Sequence, residues 1–310
     1  VTGRKGIFCK RKLGKSKLNM EVSWKMLSQI IDGKAVAQEI RKKVAAEVQK
    51  LRESGTIPGL AVILVGNDPA SELYVNNKAK ACEECGINSK VIRLPQKTPE
   101  DELLLLVKQL NYDPEIHGIL VQLPLPLQIR ERAIIEAISP LKDVDGIHPE
   151  NIGKLWTGNA YLKPCTPYGC MELLKRTVPD LRGKKAVVIG RSILVGKPMA
   201  ALLLQENATV TLCHSYTQNL PGITRSADIL VVAIGKPGYV KGEMIKPGAV
   251  VIDVGINRIE GKITGDVDFA SASERAGWLT PVPGGVGPMT IAMLMQNTLE
   301  AVYGQKNILR

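Results

Sequence analysis

Short unbroken apolar runs alternate with longer amphipathic stretches along most of this chain. Residues 60–65, 229–234 and 249–252 are bare aliphatic runs, the pattern of strands buried on both faces of a parallel sheet. Between residues 33 and 52 the periodicity changes. Val36, Ile40, Val44 and Val48 form one helical stripe, and Gly55 ends it. Asp68-Pro69 predicts a capped helix that runs to about Gly86. Thr98-Pro99-Glu100-Asp101 predicts the start of another. Strands are expected at 90–94 and 118–122, then a helix at 130–138. A helix at 167–176 and a loop at 179–184 bridge to further strands at 186–189, 209–213, 229–233 and 250–254. A last apolar helix covers about 289–303. Strand and helix alternating in this way predict α/β architecture with parallel sheets, in two units.

No apolar run approaches the length of a membrane span. With 45% hydrophobic and 23% charged residues, the 310-residue chain has the balance of a globular protein with a sizeable core. The net charge of +11 first suggests a nucleic-acid partner. However, Arg4, Lys5, Lys10, Arg11, Lys12, Lys15 and Lys17 all precede the first acid, Glu21, and taking these seven from +11 leaves +4. The body is only mildly basic, so no nucleic-acid partner is expected. Residues 1–29 read as a basic N-terminal extension, either disordered or a targeting leader. The six cysteines do not suggest a disulfide framework in a chain of this size, and a reducing compartment, the cytoplasm, is expected. Cys82-x-x-Cys85 lies at the tail of a predicted helix and no second pair completes four ligands, so no metal site is expected.

The strand Ala186-Val187-Val188-Ile189 ends at Gly190-Arg191-Ser192, and a second glycine, Gly196, opens a helix. In a Rossmann unit this turn aims backbone N–H groups and a helix N-terminus at phosphate. The next strand ends at His214-Ser215-Tyr216-Thr217. An acid there would bind the free ribose hydroxyls of NAD. A hydroxyl with Arg191 nearby suits the extra phosphate of NADP. The loop lacks the full three-glycine fingerprint, and taken alone it also fits an ordinary strand–helix turn.

Tyr74 and Lys78 stand four apart on the Asp68-capped helix and share a face. A lysine in a partly dry cleft can move protons if its pKa is lowered. The spacing alone equally fits a solvated helix face. Short-chain dehydrogenases also use Tyr-x-x-x-Lys, but theirs comes after the nucleotide loop, whereas this pair precedes it. Val121-Gln122-Leu123-Pro124-Leu125-Pro126 ends a buried strand with a rigid exit, which holds Gln122 at the carboxyl edge of the sheet or simply ends the strand. Lys142-Asp143-Val144-Asp145-Gly146 is a tight turn or a presentation of Asp145 to a ligand's N–H groups. The ten residues from Pro281 to Thr290 hold three glycines and three prolines, a composition that lets rigid backbone approach a ligand closely.

Taken in order, these segments closely resemble the bifunctional methylenetetrahydrofolate dehydrogenase/methenyltetrahydrofolate cyclohydrolase family. Pro164-Cys165-Thr166-Pro167, Asp253-Val254-Gly255-Ile256-Asn257 and Gly265-Asp266-Val267 match as well, so the likeness runs from about Ile30 to the C-terminus. It implies two α/β domains with the folate cleft between them, the second a Rossmann-type NADP-binding domain. The first is expected at 30–168 with the final helix, 288–310, packed back on it, and the second at 169–287. It further implies Lys78 as the central catalytic residue, Gln122 orienting it, Tyr74 against the pterin-aminobenzoate region and Asp145 anchoring the pterin. Val121 and Leu123 line the substrate site, and Pro283, Gly284, Gly285, Val286 and Gly287 shape its folate side. Gly190, Arg191, Ser192 and Ser215 correspond to positions that hold NADP, with Ile256 a backbone contact near the nicotinamide. Members commonly form homodimers through the nucleotide domain. Serine at 215, where some relatives carry arginine, favours NADP and argues against a metal requirement. Ile193 departs from a position that is often polar. The synthetase domain fused in some relatives is not expected after the last helix. A monofunctional dehydrogenase and a non-catalytic nucleotide- or nucleic-acid-binding protein are the competing readings.

Overall fold

The computed structural model describes residues 28–308. A short strand, β1 (Gln29–Ile30), leads into α1 (Gly33–Glu53). Next come β2 (Gly59–Val65), α2 (Pro69–Cys85), β3 (Asn88–Leu94), α3 (Glu100–Tyr112), β4 (Gly118–Val121), α4 (Glu131–Ala137), α5 (Pro149–Trp156) and α6 (Cys165–Thr177). The second half comprises β5 (Lys185–Ile189), α7 (Gly196–Gln205), β6 (Thr209–Cys213), α8 (Leu220–Thr224), β7 (Ile229–Val232), β8 (Val250–Asp253), β9 (Asn257–Ile259), β10 (Lys262–Thr264), α9 (Phe269–Ser273), β11 (Trp278–Leu279) and α10 (Val286–Ile308).

The strands form a three-stranded parallel sheet, β3-β2-β4, and a six-stranded parallel sheet, β1-β11-β8-β7-β5-β6. A small antiparallel hairpin pairs β9 with β10. Alternation along the strands explains why both sheet faces are covered. In β2, Leu60, Val62 and Leu64 face the same core as the α1 stripe, while Ala61, Ile63 and Val65 face a second core with α3. In β5, Ala186 and Val188 join the first core, while Val187 and Ile189 enter a third. The first core is therefore continuous across both sheets, bridged by α1, α6 and α10.

The helix ends reflect local chemistry. Asp68 caps α2 by accepting the Ser71 N–H at 2.8 Å, and Gly86 closes it with φ +74°. The expected cap at Thr98 does not form. Pro99 occupies the cap position of α3 without a side-chain bond, and the Thr98 hydroxyl is buried with no partner among the described residues. The last helix begins at Val286, three residues before the expected start, so Pro288 falls in its first turn, where a missing N–H is tolerated.

Residues 1–27, most of the stretch read as a basic extension, lie outside the described residues. Gln29 and Ile30 pair with Trp278 and Leu279 at the edge of the six-stranded sheet. The boundary drawn between residues 29 and 30 thus falls inside a strand of the second sheet, too short to show any periodicity. Among the described residues, no helix is long and apolar enough to cross a membrane.

Candidate functional site

Parallel strands end together, so the segments leaving β2 and β4 emerge at one edge. After β2 comes α2, with Tyr74 and Lys78 one turn apart. After β4 comes Gln122. Lys78 Nζ donates to Gln122 Oε1 at 2.9 Å, and Gln122 Nε2 donates to the Leu123 carbonyl at 2.7 Å. The second bond fixes which end of the amide faces the lysine. Burial lowers the Lys78 pKa, opposed by the negative field of Asp145. Burial likewise raises Asp145, which the Lys78 charge opposes. The solvated-face reading of the Tyr74–Lys78 pair therefore does not describe Lys78.

The two acids of the 142–146 turn separate in role. Asp143 forms an isolated bridge with Ile119 beside β4, and its carboxylate accepts from the His148 N–H and the Asn151 amide, each at 2.8 Å. Asp143 is thus part of the framework, and Asp145 lines the cavity. Lys142 inserts its ammonium against the carbonyls of Leu110 and Asp113 at the end of α3, at 3.1 and 2.8 Å. Cys82 and Cys85 sit in the first core with thiols pushed by burial to about 12 and about 11.

Tyr74, Lys78, Val121, Gln122, Leu123 and Asp145 line one cavity of about 290 Å³. Leu194, Val195 and Ile256 close it from the other unit. Pro283, Gly284, Gly285 and Val286 line an adjoining cavity of about 370 Å³ instead. Gly287, Tyr74, Ile256 and Ile291 border both, so the two chambers adjoin along these four residues. Several lining residues were not anticipated as site members, among them Cys165, Thr166 and Thr290. These three lie near the N-terminal ends of α6 and α10, where the Thr166 and Thr290 hydroxyls stand 3.0 Å apart. Their motifs were visible in the sequence, but only the convergence of the two helices brings them to the cavity. Asn297 secures that convergence by donating to the carbonyls of Val144 and Lys163 at 2.8 and 2.7 Å.

The glycine-proline loop is seated directly on α1. A Cβ at Gly33 would fall on the backbone carbonyl of Gly285. Gly33→Ala is therefore expected to displace the loop and destabilise the protein by about 1–3 kcal/mol. A rise in KM for the ligand of the cavity this loop lines, with little change in KM for a ligand at the Gly190 turn, would show that the displacement is local.

At the second sheet, Gly190 adopts φ +114° directly after β5. Ser192 Oγ accepts from the N–H groups of Val195 and Gly196 at 3.1 and 3.4 Å, closing the loop onto the start of α7. The Arg191 guanidinium lies 5.8 Å from the Tyr216 ring centroid, which brings this loop beside the end of β6 that carries Ser215. Arg191 and Ser215 are exposed, and residues 214–217 include no acid. A cation, hydroxyls and a helix N-terminus suit a nucleotide with an additional phosphate. Gly190, Arg191, Ser192 and Ser215 line neither cavity, whereas Leu194 and Val195 of the same loop reach the Lys78 cavity. The loop thus extends from the phosphate-suited edge to the Lys78 cavity.

Residues 31–145 match the family described as "Tetrahydrofolate dehydrogenase/cyclohydrolase, catalytic domain", and residues 164–306 match its "NAD(P)-binding domain". The chain is 60% identical over 277 residues to the bifunctional protein FolD of Moorella thermoacetica, across 89% of this chain and 99% of that one. Its structure is similar to the crystal structure of the bifunctional enzyme FolD from Campylobacter jejuni, with a TM-score of 0.88 and 50% identity over 90% of this chain and 99% of that one. It is also similar to the Trypanosoma brucei methylenetetrahydrofolate dehydrogenase-cyclohydrolase complexed with NADP cofactor and inhibitor, with a TM-score of 0.86 and 42% identity over 90% of this chain and 99% of that one. The chain belongs to the tetrahydrofolate dehydrogenase/cyclohydrolase family.

Proposed function

We propose that this chain catalyses two successive steps at one cleft. It oxidises 5,10-methylenetetrahydrofolate to 5,10-methenyltetrahydrofolate with NADP, and it hydrolyses the methenyl product to 10-formyltetrahydrofolate. The observation that carries this reading is the Lys78–Gln122 pair in a cavity that Leu194, Val195 and Ile256 close from the nucleotide side.

In the first step a hydride leaves the methylene carbon and a methenyl cation remains. Bound NADP supplies the hydride acceptor. The protein's part is alignment. Arg191, Ser192 and Ser215 hold the phosphates beside Gly190, and the Ile256 backbone meets the nicotinamide end. Tyr74 packs on the pterin-aminobenzoate region, and Asp145 accepts the pterin's N–H groups. Val121 and Leu123 line the substrate, and residues 283–287 bound its far side. In the second step water adds to the cationic carbon, one C–N bond opens and a proton is released. Lys78 moves protons in this step, and its lowered pKa keeps the neutral amine accessible. Gln122 orients the amine without an ion pair that would hold it charged.

A turnover assay that monitors reduced nucleotide and methenyl absorbance together tests both activities. Reduction with NADP, no methenyl build-up and recovery of the methenyl signal after acid quench are the expected results. Stoichiometric methenyl accumulation would instead leave a dehydrogenase alone, and no reduction with NADP or NAD would overturn the catalytic reading. A homodimer through the nucleotide domain belongs to the same reading, since β6 is, among the described residues, an edge strand of the six-stranded sheet. Light scattering at micromolar concentration reports that mass. The five described cysteines are free and buried, which fits the cytoplasm as its compartment.

A further inference from the structure

Two buried carboxylates beside Ile256 take no part in the chemistry above. Asp253 ends β8 at 4% exposure, and Asp266 is fully buried. Asp253 accepts the N–H groups of Gly255, Asp266 and Val267 at 2.9, 3.0 and 2.9 Å. Asp266 accepts the N–H groups of Ile234 and Gly235 at 2.7 and 2.9 Å, and the Asn257 side-chain amide at 2.9 Å. Three loops are thereby tied together: the one after β7, the one between β8 and β9, and the one after β10. The tie leaves no spare room. A Cβ at Gly255 would fall on the Asp266 carboxylate, and one at Gly265 on that of Asp253. Ile256 lies between two residues that these carboxylates hold, and its side chain, 47% exposed, borders both cavities.

We propose that Asp266, braced through its own backbone by Asp253, is a positioning residue that sets Ile256 and the β7 loop at the spacing hydride transfer requires. The proposal rests on the reading above that Ile256 meets the nicotinamide end. A carboxylate suits this task because both oxygens accept, whereas an amide presents one acceptor and a competing donor. Hydride transfer tolerates little displacement, since an error of about 1 Å can slow a reaction on the order of a hundredfold. Water addition beside Lys78 uses groups from the first unit. Loosening the brace therefore separates the two activities.

In Asp266→Asn the hydride-transfer rate is expected to fall about tenfold to a hundredfold, with cyclohydrolase within about twofold of the unaltered protein. Deuterium at the methylene carbon should then give a larger isotope effect on kcat, as the hydride step becomes limiting. Asn257→Ala removes one donor and should slow the same step about threefold, which carries the test if Asp266→Asn does not fold. Equal loss of both activities in a folded variant, or an unchanged ratio, overturns the proposal. A crystal of the unaltered protein with NADP is expected to show the nicotinamide against Ile256. Nicotinamide elsewhere removes the cofactor reading and the proposal with it. Nicotinamide at Ile256 together with an unchanged ratio overturns the proposal alone.

Discussion

Lys78→Ala is expected to lower cyclohydrolase turnover by about a thousandfold while nucleotide binding stays near that of the unaltered protein. Positioned proton transfer contributes on the order of a hundredfold to ten-thousandfold, and alanine removes both the amine and its bond to Gln122. The Asp145 carboxylate then keeps its burial but loses the Lys78 charge that opposes it. Full cyclohydrolase activity in Lys78→Ala would withdraw the catalytic assignment. Gln122→Glu probes the same amine without deleting it. A negative charge at hydrogen-bond distance favours the ammonium form, so the Lys78 pKa moves up. The limb of the pH–rate profile that depends on neutral amine moves to higher pH with it. At pH 7 the cyclohydrolase rate should fall tenfold or more and recover partly as the pH rises. A profile that does not move would mean that the rate does not depend on Lys78 ionisation.

The second large effect is expected at Gly190. At φ +114° an L side chain is strained, and a Cβ there would fall on the Ala233 carbonyl oxygen at the end of β7. Gly190→Ala should cost about 2–4 kcal/mol, the sum of backbone strain and overpacking. Thermal unfolding should occur roughly 3–6 °C lower. Below that midpoint the damage is expected to centre on the nucleotide edge, because Gly190 itself lines neither cavity and the Ser192 bonds to Val195 and Gly196 hold the rest of the loop. KM for NADP should rise while the hydrolysis of supplied methenyltetrahydrofolate is retained. Loss of both activities at temperatures where the variant is folded would show that the displacement travels along the loop to Leu194 and Val195, which close the Lys78 cavity.

Much of this architecture was legible from periodicity. The stripe Ile40, Val44 and Val48 marked the buried face of α1, and the aliphatic runs marked β2, β5, β7 and β8. Asp68 and Gly86 marked both ends of α2 because caps are local chemistry. Elements shorter than one period escaped, such as β1, and so did α5, which has only two buried residues to signal it. Thr98 resembled a cap but was drawn into the interior. At the site, residues that strand ends and a helix face deliver to one edge were legible, as with Lys78 and Gln122. Cys165, Thr166 and Thr290 were not, because they reach the cavity only through α10 returning against α6. The division into two adjoining chambers likewise depends on tertiary packing that no local pattern encodes.

The path of the chain between its two sheets constrains how the cleft can move. The backbone passes from one side to the other between β1 and α1, again between α6 and β5, and a third time between β11 and α10. Two of these passages touch, at Gly33 and Gly285. Lobes joined by a single linker can swing about any axis. Lobes joined by three tethers, two of them in contact, lose most of those rotations. What remains is rotation about the line through the touching pair and the third tether, so the jaws are expected to open and close about that one axis and not to twist or slide.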